Sequence, residues 1–313
     1  MSTVAPARSL EATKPPTARR RRGRSRESRA AWILALPFML LFSVFTAWPV
    51  ISSLYMSVTD IKSRDLRSPF NVGFVGFDNY LKVFGDETFR KSALNTAYFV
   101  IVGVPLTLGI ALAAALALDK GITRFRTLFR VGYFTPVVTS IVAVAVVWRF
   151  LLQPESGLVN TILGWVGITG PDWLGSTTFS MPSLIVMASW RNFGTAMIIF
   201  LAGLQSVPVM LHEAASIDGA STWQRFRYIT VPLLRPTLLF VSITTGVGYL
   251  QFFEEPLVMT QGGPLDSTIS MSMFTYSQFG FGNYGFAAAT SYVLFVIIVA
   301  LTAVQFRIFR SNT

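Results

Sequence analysis

Six apolar runs constrain this chain more than any other feature. They lie near 31–57, 92–118, 128–152, 182–204, 234–257 and 286–307, and crossing a bilayer takes about 20 mostly apolar residues. In hydrocarbon the backbone must satisfy its own hydrogen bonds, so a spanning segment is a helix or part of a closed barrel. The short alternating segments of a barrel are missing. The runs therefore predict an all-α integral membrane protein with six transmembrane helices. Composition agrees, since 52% of the 313 residues are hydrophobic and only 13% are charged, outside the range of ordinary soluble domains.

The net charge of +11 is informative through its placement. Basic residues crowd the first 29 positions, with Arg19, Arg20, Arg21 and Arg22 consecutive, and recur at Lys120, Arg124, Arg126 and Arg130, at Arg225, Arg227 and Arg235, and at Arg307 and Arg310. The intervening loops 153–181 and 258–285 contain neither Lys nor Arg. The positive-inside bias then puts both termini in the cytoplasm. A run such as RRRRGRSR beside a span reads as a contact with anionic membrane lipid rather than with nucleic acid. Without cysteine, and with His212 as the sole histidine, thiolate metal sites are excluded and a catalytic zinc or Ser-His-Asp triad is disfavoured.

In order, the chain divides into a basic, disordered tail over 1–29, a first transmembrane helix over 30–58, an extracytoplasmic segment over 59–91 and a five-helix core over 92–310. Within the core, 206–232 is too polar to span and too patterned to be slack. Met210, Ala214 and Ile217 recur at helical spacing, Asp218-Gly219 is a stop signal, and Ser221 with Gln224 forms a capping box. Trp223, Phe226 and Ile229 then give a second short helix an apolar stripe. These stripes need a partner, either the neighbouring spans or a second protein.

The spelling of this segment resembles the EAA motif of ABC importer permeases: Glu213-Ala214-Ala215, then Gly219, then Ile229-Thr230-Val231-Pro232, with Val231 where that family usually has leucine. Val75-Gly76-Phe77-Asp78-Asn79-Tyr80, Leu94-Asn95-Thr96, the stretch 190–208 and Thr260-Gln261-Gly262-Gly263-Pro264 are similar to segments of its carbohydrate permeases, so the resemblance covers most of 31–310. It implies the type I permease fold with a cytoplasmic coupling helix, in a bacterial or archaeal inner membrane. Glu213, Ala214, Ala215, Asp218 and Gly219 would contact an ATP-binding subunit. The implied partners are a sister permease, two ATP-binding subunits carrying ATP and Mg, an extracytoplasmic substrate-binding protein and a carbohydrate or polyol ester. The chain itself has no phosphate-cradling G-x-x-x-x-G-K-[ST] and is expected to bind no cofactor.

Charged and amide residues within or beside spans mark a second region. Arg149, Arg191, Asn192, Tyr249, Gln251 and Glu254 form the expected substrate path, because an intramembrane charge costs at least ~2.5 kcal/mol and hydroxyl-rich ligands suit carboxylates, amides and aromatic faces. Each has a plainer alternative: Arg149 snorkelling to the interface, Arg191 in an ion pair within the bundle, and Glu254 with Glu255 merely solvated. Two other functions compete with the importer reading. An ion-coupled secondary transporter lacks support from a coupling motif followed by no second half. A membrane transferase using Glu254 and Glu255 fails because adjacent helical residues point about 100° apart.

Overall fold

A computed structural model describes residues 23–67, 72–121 and 126–309. Residues 1–22 of the basic tail lie outside that set. Residues 23–29, expected to be disordered, instead begin helix α1 (Gly23–Phe42). Once the apolar run has nucleated a helix, each further residue adds a hydrogen bond, and Arg24, Arg26, Glu27 and Arg29 are good helix formers. A π-helical turn, Ser43–Ala47, joins α1 to α2 (Trp48–Ser57), and Ala31–Ser57 is long and apolar enough to span.

The unit that follows, 54–313, carries the remaining helices. The segment after α2 is ordered by its own polar residues. Asn79, on α3 (Asp78–Gly85), donates to the carbonyls of Ser57 (3.0 Å) and Thr59 (2.8 Å), and Tyr80 bonds Ser57 through their hydroxyls at 2.8 Å. The next helix, α4 (Glu87–Leu116), starts five residues before the expected span because Asp86 caps it, accepting from the Phe89 N–H at 2.8 Å.

Two expected spans are not continuous. The run 128–152 is split into α5 (Arg126–Val138) and α6 (Ile141–Leu151), bent by 98°. Pro136 cannot donate to the helix, Thr135 and Thr139 return their hydroxyls to carbonyls four residues back, and Ser140 takes an extended ψ of 127°. After α7 (Leu158–Trp165) and the unbroken span α8 (Ser180–Gln205) come α9 (Val209–Ile217), α10 (Thr222–Arg225) and α11 (Val231–Leu233), bent by 67° into α12 (Arg235–Leu250). The run 234–257 also stops early: α12 ends at Leu250, and a separate helix, α13 (Glu254–Met259), follows. Helices α14 (Met271–Gly280) and α15 (Tyr284–Phe309) complete the order. Among the described residues, four helices are long and apolar enough to span, or six when each bent pair counts as one.

Apolar clusters hold this unit together. Phe99, Leu184, Ile185, Tyr249 and Phe252 pack together in one cluster between α4, α8 and α12, while Ala111, Ala115, Phe200, Leu234 and Val241 fill a second. Gly103 lets α4 approach closely, since a Cβ there would come within 2.8 Å of the Tyr249 ring. Asn95, from Leu94-Asn95-Thr96, donates to the carbonyls of Asp266 (2.8 Å) and Ile269 (3.0 Å), and the Thr96 hydroxyl accepts from Met271 N–H (3.1 Å). These bonds tie the turn after α13 to the start of α4.

Candidate functional site

Two regions carry the residues singled out by the sequence. In the first, the hairpin of α9 and α10, the turn is closed by a Schellman motif. Ala220 N–H reaches the Ala215 carbonyl (2.9 Å), Gly219 N–H reaches that of Ser216 (3.2 Å), and Gly219 sits at φ +79°. The spacing of Ala215 and Gly219 thus has a physical cause. Ala215 supplies the carbonyl that closes the motif, and four residues later comes the one position where the left-handed conformation is needed. The capping box is formed as expected, with Ser221 N–H donating to Gln224 Oε1 (2.7 Å) and Gln224 N–H to Ser221 Oγ (3.3 Å).

The hairpin's polar groups are spent on its own turn, and its apolar groups face outward. Met210 is 75%, Ile217 87% and Trp223 67% exposed; Ala214 and Glu213 are exposed as well. Only Phe226 and Ile229 are half-buried. Of the two partners open to these stripes, the neighbouring spans leave the first one uncovered. A cleft of about 400 Å³ lies between the helices, lined by Ala215, Asp218, Gly219 and Tyr228 among others.

The second region is a cavity of about 360 Å³ in the helical core. From α8 it is lined by Arg191, Asn192, Thr195 and Ile199, and from α12 by Val241, Thr244, Thr245, Gly248 and Tyr249. The break after α12 adds Gln251 and Phe252, and α13 adds Glu254 and Glu255. The 16 residues of α12 rise only about 24 Å, short of the ~30 Å of hydrocarbon. Helix α12 alone is thus too short to cross, and the irregular backbone after it lines a cavity, the setting in which such backbone is tolerated in a membrane protein. Half-helices meeting at such a break are a common way to build a polar site in a transporter.

Arg191, Asn192, Tyr249, Gln251 and Glu254 are brought together here, and Arg149 is not. Arg149 lies at the end of α6 and donates to the Val258 carbonyl at 3.2 Å, capping the C-terminal end of α13. Arg191 has no carboxylate within ion-pair distance among the described residues; its Nη1 donates to Asn192 Oδ1 (3.2 Å), and its Nε is buried without a hydrogen bond. Asn192 in turn donates to the Ala188 carbonyl at 2.9 Å.

The two adjacent glutamates part company, with Glu254 exposed and Glu255 only 5% exposed. Oε2 of Glu255 is buried and unbonded. Behind the cavity wall, the Tyr249 hydroxyl bonds Thr107 Oγ1 (2.7 Å), which lies 3.0 Å from Ser189 Oγ. Phe252 stacks on Phe99 at 3.9 Å with 4° between the rings. Thr195, Thr244 and Thr245 join the expected residues here, and of the adjacent carboxylates both Glu254 and Glu255 line the cavity. The signal for the threonines was present, because Arg191, Thr195 and Ile199 stand at helical spacing, as do Val241, Thr244, Thr245 and Gly248.

Comparison with known proteins adds four findings. A family model described as "Binding-protein-dependent transport system inner membrane component" matches residues 106–310. The lactose transport system permease protein LacF of Rhizobium radiobacter is 34% identical over 281 residues, covering 88% of this chain and 92% of that one. The trehalose/maltose transport system permease protein MalF of Thermococcus litoralis is 32% identical, covering 91% and 95%. Among solved structures, a bacterial ABC transporter involved in the import of the acidic polysaccharide alginate aligns with a TM-score of 0.77 at 23% identity, covering 93% of this chain and 98% of the other. That likeness concerns the fold.

Proposed function

Because the chain belongs to the binding-protein-dependent transport system inner membrane components, it is a permease subunit of an ABC importer and not an enzyme, and we propose that its cargo is a neutral or amino-bearing oligosaccharide or glycoside. The observation that carries the cargo class is the match, over about nine-tenths of both chains, to permeases named for lactose and for trehalose/maltose. The cavity supports it: Arg191 donates, Glu254 and Glu255 accept, threonine hydroxyls do both, and Tyr249 and Phe252 offer aromatic faces. Two carboxylates beside one guanidinium disfavour a free phosphate.

The exposed stripe of α9 is the docking face for an ATP-binding subunit that holds ATP and Mg, with Glu213, Ala214 and Ala215 at the contact and the Schellman turn at Asp218 and Gly219 keeping the lever rigid. Closure of the ATPase pair on ATP moves α9 and α10 and, through α11, tilts α12 against α8. The cavity then opens outward to a binding protein, while both termini of the permease stay cytoplasmic. A sister permease lines the other side of the path.

The test is affinity purification of the full chain from mild detergent with mass spectrometry of what is retained, followed by labelled-disaccharide uptake in vesicles. Recovery of an ATP-binding subunit and a second multispan protein, with Glu213→Arg abolishing uptake but not membrane insertion, is the expected result. A chain that purifies alone, with uptake collapsed by protonophore but not by ATP depletion, would make it an ion-coupled transporter instead.

A further inference from the structure

Between α6 and α8 lies a stretch that the importer reading does not use. Residues 156–171 contain no charged side chain, and α7 sits inside it. Leu158, Ile162 and Trp165, spaced four and three residues apart on one face of α7, are 52%, 47% and 77% exposed; Val166 and Ile168 continue the face at 70% and 53%. The opposite side is fastened to the core. Val159 packs against the cluster around Phe99 and Leu184, and Asn160 acts as a clamp. Its Nδ2 donates to the carbonyls of Pro154 (2.9 Å) and Pro171 (3.2 Å), and its Oδ1 accepts from Trp173 Nε1 at 2.6 Å.

We infer that α7 is an interfacial helix, lying in the plane of the outer leaflet with Leu158, Ile162 and Trp165 in the boundary between headgroups and acyl chains. Three observations commit this face to lipid. The preceding helix, α6, carries an exposed apolar flank of its own, formed by Val142, Val146 and Phe150. The depth of α7 is marked on both sides, by exposed Arg149 near the end of α6 and by exposed Glu155 and Asp172, which bracket the uncharged stretch and stay in water. Its apolar face ends in Trp165, a residue type enriched at membrane–water interfaces. The clamp at Asn160 makes the anchor rigid, so α7 fixes the outer ends of α6 and α8 at one depth while α12 moves.

The chain has no cysteine, so single-site labelling needs no prior engineering. Ile162→Cys, Trp165→Cys and, as a solvated control, Thr177→Cys are each spin-labelled in the full chain, assembled with its co-purifying subunits in phosphatidylethanolamine/phosphatidylglycerol vesicles. The expected result is a ratio of oxygen to nickel-chelate accessibility several-fold higher at 162 and 165 than at 177. Nickel accessibility at 162 and 165 equal to that at 177 would place the face in water. Low accessibility to both reagents would place it against a protein, the sister permease if constant and the binding protein if it appears only on its addition; either outcome overturns the lipid assignment. A second measurement avoids the bulky label: fluorescence quenching by lipids brominated on the acyl chain, taken as the difference between wild type and Trp165→Phe. A difference component quenched by the brominated lipid supports the inference, and an unquenched one refutes it.

Discussion

The hairpin of α9 and α10 and the cavity between α8 and α12 are built on opposite plans. In the hairpin the polar groups close turns and the apolar groups face out, with Ile217 87% exposed. In the cavity the apolar groups pack behind and the polar groups face in, with Glu255 only 5% exposed. An apolar side chain held in water and a carboxylate held in hydrocarbon are each unfavourable in isolation. Their concentration in two places is what supports the proposed contacts, an apolar protein groove at the hairpin and a hydroxyl-bearing ligand at the cavity. The two regions are joined through α11 and the 67° bend into α12.

Separable mutants should break that comparison cleanly. The largest effect is expected from replacing both Met210 and Ile217 by Asp. Since burying such a side chain is worth about 1.5–3 kcal/mol, the double change should weaken ATP-binding subunit association by roughly 100-fold or more. Pull-down against the unaltered chain measures it, and full retention would remove the docking assignment. Next come Arg191→Leu and Glu255→Leu. A hydrogen bond to a charged group is worth about 1.5–3 kcal/mol, so uptake should fall about tenfold or more in each. Retention of the ATP-binding subunit should not change, and if it falls in step with uptake, the cavity residues are serving the fold.

A smaller effect sharpens the contrast. Thr107→Val removes the hydroxyl that holds Tyr249, costing about 1 kcal/mol, and should raise the KM for uptake roughly fivefold while leaving the maximal rate near normal. A change in maximal rate alone would argue against a positioning role. The smallest is Arg149→Met, which loses one exposed hydrogen bond worth at most about 1 kcal/mol and should alter uptake by less than about twofold. A much larger loss would return Arg149 to the substrate path.

Much of the hairpin was legible in the sequence because its signals are local. Helix spacing, the Asp218-Gly219 stop and the Ser221 capping box all act within four residues, and all appear in the structure. The cavity was harder to read. Arg191 stood out because charge is rare in a span, whereas Thr195, Thr244 and Thr245 were masked, since single threonines are unremarkable in a membrane helix until their spacing is set against the partner helix. Arg149 was ambiguous for a related reason: an arginine near a span end looks the same in sequence whether it meets a ligand or a carbonyl such as that of Val258.

The sequence by itself determined the class of the protein, its apolar runs and the hairpin between spans. These follow from hydrophobic length, charge placement and capping, which need no knowledge of distant contacts. Only the tertiary structure decided that the span after Ser140 would restart at 98°, that α12 would stop at Leu250, and that Glu254 and Glu255 would divide between an exposed and a buried face. Those outcomes depend on which helices pack side by side. That choice is made by close approaches such as Gly103 against Tyr249, between residues far apart in the chain.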